Sequence, residues 1–149
     1  MSDGSARFRM TGGMGGSGLW LVGLGPGDLG HITNMALEAA RDSDKRYLEG
    51  YTAILPKNQE DMLADLVGSW ERVMRDTVEH PEEIILQAKN GKVALMVVGD
   101  PMQATTHIDL KVRCEEEGVP FHVIPGISAT SMAVSLSGLQ SYRFGRQVT

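Results

Sequence analysis

The chain has 149 residues, which is enough for one ordinary domain with its own core. Its composition, 42% hydrophobic and 22% charged, predicts a globular, soluble protein. The formal net charge of −5 argues against non-specific binding of nucleic acid, which requires clustered positive charge. A single cysteine, Cys114, excludes an internal disulfide and favours a reducing, cytoplasmic setting. No apolar run approaches the roughly 20 residues that span a bilayer.

The start of the chain differs in composition from the rest. Residues 1–18 are rich in glycine, serine and methionine, and such a stretch cannot bury enough apolar area to offset its chain entropy. We therefore predict a disordered leader, or a remnant of expression, over residues 1–18, followed by one α/β domain over residues 19–149. The glycines of this leader resemble a phosphate loop, but no predicted strand precedes them and no predicted helix follows.

After the leader, short apolar runs alternate with segments of helical spacing. In chain order these segments are strand 19–22, helix 33–41, strand 45–48, helix 58–67 with Asn58 as N-cap, strand 70–74, helix 81–89, strand 93–98, helix 106–117, strand 119–124 and helix 127–136. Strands that alternate with helices at this spacing indicate βαβ units. The predicted fold class is therefore α/β, with a mainly parallel five-stranded sheet and helices on both faces.

The first predicted strand is followed by Gly23-Leu24-Gly25-Pro26-Gly27-Asp28. A dinucleotide-binding loop has the pattern GxGxxG and leads directly into a helix, but here Asp28 stands in place of the third glycine. Its carboxylate would repel a pyrophosphate, and Pro26 removes one backbone donor. Glu49, about 20 residues further on, keeps an NAD-binding domain open as an alternative. The structural interpretation is a tight turn with Asp28 as a cap.

The fourth predicted strand is followed by Gly99, Asp100 and Pro101. Gly99 allows a ligand to approach the backbone closely, and Asp100 places a carboxylate at the mouth of the crevice where open α/β sheets bind ligands. That carboxylate suits a ligand rich in donors, such as an ammonium group or ribose hydroxyls; alternatively, Asp100 is a turn residue only. We expect Thr105 or Thr106 to cap the next helix.

The fifth predicted strand is followed by a run of small and hydroxyl-bearing residues, from Pro125 to Ser131. The N-terminus of a helix exposes backbone N–H groups without intrahelical partners. These groups can hold a carboxylate or the edge of a purine. The alternative is ordinary helix capping by Ser128.

Together, the motifs Gly-Leu-Gly-Pro-Gly-Asp, Gly-Asp-Pro and Ile-Pro-Gly-Ile-Ser of these loops resemble the tetrapyrrole methylase superfamily. Within it, the chain is most similar to the diphthine synthase family. The stretches that carry this similarity are Glu49-Gly50-Tyr51-Thr52, Ala104-Thr105-Thr106-His107 and Gly138-Leu139 followed by Tyr142-Arg143-Phe144-Gly145. The resemblance extends from about Leu19 to Thr149.

The resemblance implies S-adenosylmethionine as the methyl donor, without a metal. It assigns six donor contacts, several of them through the backbone: Pro26, Gly99, Asp100, Gln103, Ala129 and Thr130. It implies methylation of the amino group of a modified histidine on translation elongation factor 2, in diphthamide biosynthesis. It also implies a homodimer, with no nucleic-acid or membrane partner. No catalytic residue is assigned, because methyl transfer mainly requires alignment of donor and acceptor.

Two alternatives stay open beside NAD binding and this assignment. The segments 25–28 and 124–128 have the general form of the superfamily, which favours a relative that methylates a corrin or uroporphyrinogen. In the family a second domain completes the donor site, so we expect the 149-residue chain alone to be inactive. A non-catalytic binding or dimerisation module is the remaining alternative.

The other candidate residues lack a clear chemical context. His31, His80 and His122 are scattered, without partners at metal-ligand spacing. His107 is expected either to line the cleft or to be a helix-start histidine without a task. Cys114 lies in a predicted helix with no feature of a nucleophile.

Overall fold

The computed structural model describes residues 16–103 and 105–145. Its strands are β1 Gly18–Gly23, β2 Lys45–Glu49, β3 Glu71–Val73, β4 Lys92–Val97 and β5 Phe121–Ile124. Its helices are α1 Asn34–Arg41, α2 Lys57–Val67, α3 Arg75–Glu79, α4 Glu82–Asn90, α5 Ile108–Glu116, α6 Ala129–Ser137 and α7 Ser141–Phe144, with a 3₁₀ turn at Leu29–His31. None of the helices in these two ranges is both long and apolar enough to cross a membrane.

The five strands form one parallel sheet in the order β3-β2-β4-β1-β5, which confirms the predicted fold class. The connection from β1 leads to β2, beyond β4, whereas the connection from β4 leads to β5, beyond β1. The two connections therefore leave the centre of the sheet in opposite directions. In open α/β sheets, ligands bind at such a switch point, outside the carboxyl ends of the strands.

Helices cover both faces of the sheet, as predicted. On one face, α1 and α2 pack on Trp20, Leu48 and Met96. On the other face, α3, α4 and α5 pack on Leu21 and Leu95. The central strands β1 and β4 are buried along their whole length because both faces of the sheet are covered, and apart from Lys92 at the start of β4 their side chains are apolar on both faces.

The predicted leader is wrong at its last residue. Most of it, residues 1–15, lies outside the described residues, but Gly18 opens β1 and its N–H donates to the carbonyl of Gly91 at 3.0 Å. A Cβ at position 18 would lie 2.8 Å from the carbonyl oxygen of Pro120. This glycine therefore allows close packing at the start of β1, which the composition of residues 1–18 does not reveal.

Two predicted helix caps are also wrong. The N-cap of α2 is Pro56 instead of Asn58, and the N–H groups of Gln59 and Glu60 donate to its carbonyl. The fixed φ of proline sets the direction of the chain two residues earlier than an asparagine cap at position 58 would. The N-cap of α5 is His107, because the hydroxyl of Thr105 instead donates to the carbonyl of Pro101.

Candidate functional site

The loops after β1, β4 and β5 meet at the carboxyl edge of the sheet, backbone against backbone. The Gly25 N–H donates to the Gly99 carbonyl at 3.2 Å, and the Gly99 N–H donates to the Gly25 carbonyl at 2.6 Å. A Cβ on Gly23 would lie 2.5 Å from the nitrogen of Gly126, and a Cβ on Gly126 would overlap the carbonyl oxygen of Gly99. Only glycine allows loops to approach this closely.

A cavity of about 280 Å³ opens beside these glycines, near the lower end of the range for small-molecule sites. Its lining includes all six residues predicted as donor contacts, namely Pro26, Gly99, Asp100, Gln103, Ala129 and Thr130. The remaining lining residues are Thr52, Ala53, Val98 and Ser128. The structure thus brings together residues that are far apart in the sequence; their role as donor contacts stays a prediction.

Asp100 joins two of the loops. Its Oδ1 accepts from the N–H of Met102 at 2.9 Å, and its Oδ2 accepts from the N–H of Gly126 at 3.1 Å. The turn role considered for Asp100 is therefore real. A carboxylate offers about four acceptor positions, so two backbone bonds leave capacity for a ligand.

The N-terminus of α6 forms the opposite wall of the cavity. The hydroxyl of Ser128 accepts from the N–H of Ser131 at 3.1 Å, which confirms capping by Ser128. Ala129 and Thr130 open the helix, and N–H groups in a first turn have no intrahelical acceptor. Because both residues line the cavity, this wall offers donors and the positive end of a helix dipole to an anionic or acceptor-rich group.

These walls fit S-adenosylmethionine. Asp100 can accept from an ammonium group or ribose hydroxyls, and the α6 terminus can donate to a carboxylate or a purine edge. Val98 and Ala53 supply apolar surface. Among the described residues, apart from Gly99 and its two neighbours in the chain, no atom lies within 4 Å of the position that a Cβ on Gly99 would occupy, so a ligand can approach the backbone there.

The NAD-binding alternative is not supported by the loop after β1. Asp28 Oδ1 accepts from the N–H of Gly30 at 2.8 Å and caps a 3₁₀ turn, as its structural interpretation predicted. The loop therefore does not lead directly into an α-helix. Glu49, the residue that would hold the ribose, is 1% exposed and accepts hydrogen bonds from the protein itself.

Glu49 and His107 form a buried pair behind the cavity. His107 Nε2 lies 3.0 Å from Glu49 Oε2, and Glu49 Oε1 accepts from the N–H groups of Tyr51 at 3.1 Å and Thr52 at 2.6 Å. Burial alone would raise the pKa of Glu49, but the bonds from His107, Thr52 and Tyr51 outweigh it and hold the pKa below its usual value. His107 does not line the cavity, but its side chain has a hydrogen-bond partner in Glu49.

The remaining candidates give no second site. Burial raises the pKa of the Cys114 thiol to about 11, so it is not a thiolate at neutral pH. Within residues 16–103 and 105–145, no three His, Cys, Asp or Glu side chains lie together as a metal site requires. A larger hollow of about 490 Å³ lies against α3 and α5, lined by Val112 and Glu116 among others, away from the strand ends.

Comparison with known proteins agrees with this geometry. The chain is 38% identical over 130 residues to the diphthine synthase of Methanospirillum hungatei, covering 86% of this chain and 52% of that protein. It is 41% identical over 132 residues to the diphthine methyl ester synthase of Gibberella zeae, covering 88% of this chain and 46% of that protein. The chain thus spans about half the length of the curated relatives it matches.

The fold has the same relatives. A crystal structure of diphthine synthase superposes with a TM-score of 0.78 at 38% identity, covering 85% of this chain and 51% of that chain. The sequence pattern of the family Tetrapyrrole (Corrin/Porphyrin) Methylases matches residues 18–149. Since this match includes all three loops around the cavity and every strand of the sheet, the chain belongs to the tetrapyrrole (corrin/porphyrin) methylases.

Proposed function

We propose that the chain is the S-adenosylmethionine-binding part of a methyltransferase of the diphthine synthase type, acting in diphthamide biosynthesis. The observation that carries the proposal is the cavity at the switch point of the sheet, lined by Pro26 and Asp100 from the loops after β1 and β4 and by Thr130 from the start of α6. The names of the relatives, at 38% and 41% identity, support the choice of reaction.

The residues of the cavity have defined tasks in this proposal. S-adenosylmethionine, when bound, supplies a methyl group on a sulfonium centre. Asp100 holds donor groups of the ligand, and the N–H groups of Ala129 and Thr130 hold its acceptors. Glycine-to-glycine bonding between Gly25 and Gly99 keeps the walls rigid. Rigid walls matter because an in-line displacement is fast only when donor and acceptor are held in alignment.

The proposed acceptor is the amino group of the modified histidine on translation elongation factor 2. The support comes from the relatives, which are named as diphthine synthases and a diphthine methyl ester synthase. These names favour that acceptor over a corrin or uroporphyrinogen. The names diphthine synthase and diphthine methyl ester synthase refer to different products, and this difference is a property of those relatives.

The first test is calorimetric titration of the 149-residue chain with S-adenosylmethionine and with S-adenosylhomocysteine. We expect both to bind at one site, with affinities that report on the shared adenosine and amino-acid groups. Adenosine triphosphate serves as the control, because it shares the adenosine group but carries phosphates in place of the amino-acid group. Because a second domain completes the donor site in the family, absence of binding by both sulfur compounds at millimolar concentration, in this chain and also in the chimera described next, would contradict the proposal and favour a module without a methyl donor.

The acceptor is tested in a chimera. Residues 18–149 replace the matching half of the Methanospirillum hungatei enzyme, and labelled methyl transfer to elongation factor 2 carrying the modified histidine is measured. We expect transfer by the chimera and none to uroporphyrinogen. A folded chimera that binds S-adenosylmethionine but leaves elongation factor 2 unlabelled would exclude the proposed acceptor.

The proposal includes self-association as a homodimer. Helix α6 is built from apolar and small residues, and none of its residues is buried by the described part of the chain. Leu136 and Tyr142 are 80% and 81% exposed. Apolar surface of this kind tends to become covered by a partner.

A further inference from the structure

The Glu49 carboxylate is the centre of a hydrogen-bond network that its position in the strand makes possible. Glu49 is the last residue of β2 and is 1% exposed. Its Oε1 accepts from two backbone N–H groups, those of Tyr51 and Thr52, and its Oε2 accepts from the Thr52 hydroxyl at 2.8 Å. The carboxylate therefore folds the loop after β2 back onto the end of its own strand.

The fourth contact comes from a different loop. His107 Nε2 lies 3.0 Å from Glu49 Oε2, and both side chains are 1% exposed. A carboxylate can only accept, so Nε2 carries the proton and donates. Nδ1 is buried and has no hydrogen-bond partner among the described residues.

The two loops joined in this way are two walls of the cavity. Thr52 and Ala53, on the loop after β2, line it on one side. Gln103 lines it from the loop after β4, and His107 ends that same loop where α5 begins. The bond between Glu49 and His107 is thus a direct tie between the loops, located outside the cavity itself.

We infer that Glu49 and His107 are positioning residues, which set the separation of the Thr52 and Gln103 walls and thereby the affinity for the methyl donor. The inference rests on the proposed function, because it concerns the same cavity. Neither side chain touches the ligand, since neither lines the cavity and both are 1% exposed. Their effect passes through Thr52 on one side and the loop after β4 on the other.

The test compares two substitutions of His107 in the 149-residue chain by calorimetry with S-adenosylmethionine. His107→Leu fills a similar volume but cannot donate to Glu49, whereas His107→Gln offers a side-chain N–H in place of Nε2. We expect the affinity for S-adenosylmethionine to fall about tenfold in His107→Leu and to stay within about threefold of the original in His107→Gln. Only His107→Leu deprives the Glu49 carboxylate of a hydrogen-bond donor.

Tyr47→Phe is the matched control. Tyr47 lies two positions before Glu49 in β2, is 4% exposed, and its hydroxyl donates to Gln87 Oε1 at 2.5 Å. The substitution removes one hydrogen bond of a buried residue from the same strand but leaves both cavity loops intact. We expect its urea midpoint to fall and its donor affinity to stay unchanged.

The outcomes separate the two proposals. If the unaltered chain does not bind the donor, the proposed function fails and this inference fails with it. If the unaltered chain binds, equal losses of affinity in His107→Leu and His107→Gln, or none in either, would overturn the positioning role alone. Should His107→Leu not fold, His107→Asn takes its place: its shorter amide cannot reach Glu49 as Nε2 does, and unchanged affinity in this variant would overturn the inference.

Discussion

Asp100 has a structural task and a proposed ligand task at the same time. Its two oxygens hold the N–H groups of Met102 and Gly126, and the residue also lines the cavity. The sequence presented these tasks as alternatives. The structure makes them compatible, because a carboxylate that is fixed by two backbone donors keeps its remaining lone pairs in one orientation.

Removing the Asp100 carboxylate therefore has two measurable effects. In Asp100→Ala we expect S-adenosylmethionine affinity to fall about tenfold to a hundredfold, since a charge-assisted hydrogen bond contributes about 1.5–3 kcal/mol. We also expect the free energy of unfolding to fall by about 1–2 kcal/mol, because two backbone N–H groups lose their acceptor. Calorimetry and urea unfolding measure the two effects separately.

Asp109→Ala is the control for this experiment. Asp109 is an exposed residue in the first turn of α5 and does not line the donor cavity. It removes the same charge from the chain and should leave donor affinity unchanged. Unaltered affinity in Asp100→Ala, with only the loss of stability, would reduce Asp100 to a turn residue.

The pairing of Glu49 with His107 could not be predicted from the sequence. The two residues are 58 positions apart, and neither belongs to a pattern with a fixed spacing. Both lie in stretches that resemble the diphthine synthase family, but a resemblance does not say which side chains meet. Nor could the sequence predict that Thr52 and Ala53 line the cavity, because the position of the loop after β2 depends on the order of the strands in the sheet.

At the scale of secondary-structure elements, the hydrophobic pattern of the sequence predicted those strands and helices whose formation depends on burial. All five strands were found, because each contains a short apolar or alternating run. The short helix α3 was missed, since five residues cannot display a helical period. Helix ends were displaced where a cap depended on tertiary contacts, as at His107, or on a proline, as at Pro56.

The packing of the three glycine loops gives a prediction for stability. A Cβ on Gly126 would overlap the Gly99 carbonyl oxygen and lie 3.0 Å from the carbonyl carbon of Gly23, and all these atoms belong to the backbone. Backbone cannot move aside as a side chain can. We expect Gly126→Ala to lower the free energy of unfolding by about 1–3 kcal/mol, the usual cost of overpacking, measured by urea unfolding.

Gly30→Ala is the comparison for the loop variant. A Cβ at Gly30 would meet the Asp28 carboxylate oxygen at 3.1 Å, in an exposed turn where that side chain can shift. We expect a change within about 0.5 kcal/mol, as for most surface substitutions. Equal destabilisation by both alanines would mean that the loops after β1, β4 and β5 are not as closely packed as the glycine contacts indicate.

At the scale of the whole molecule, packing is uneven. Helices α1 to α5 bury residues against the two faces of the sheet, whereas α6 buries none within the described residues. Its N-terminus forms a wall of the donor cavity, while its remaining turns present Leu136 and the nearby Leu139 to solvent. A binding wall and an uncovered apolar face therefore belong to the same helix.

This uneven packing predicts that the chain self-associates through α6. Leu136 is 80% exposed and Tyr142 is 81% exposed, and large apolar side chains exposed to this extent at the same end of the chain favour association with a partner. Light scattering after size exclusion, over a range of concentrations, should give a dimer for the unaltered chain and a monomer for Leu136→Glu. The control is Leu86→Glu, which adds the same charge at a 60% exposed leucine of α4 and should remain dimeric. A monomer at every concentration, or equal dissociation by both glutamates, would show that α6 is not the surface through which copies of the chain meet.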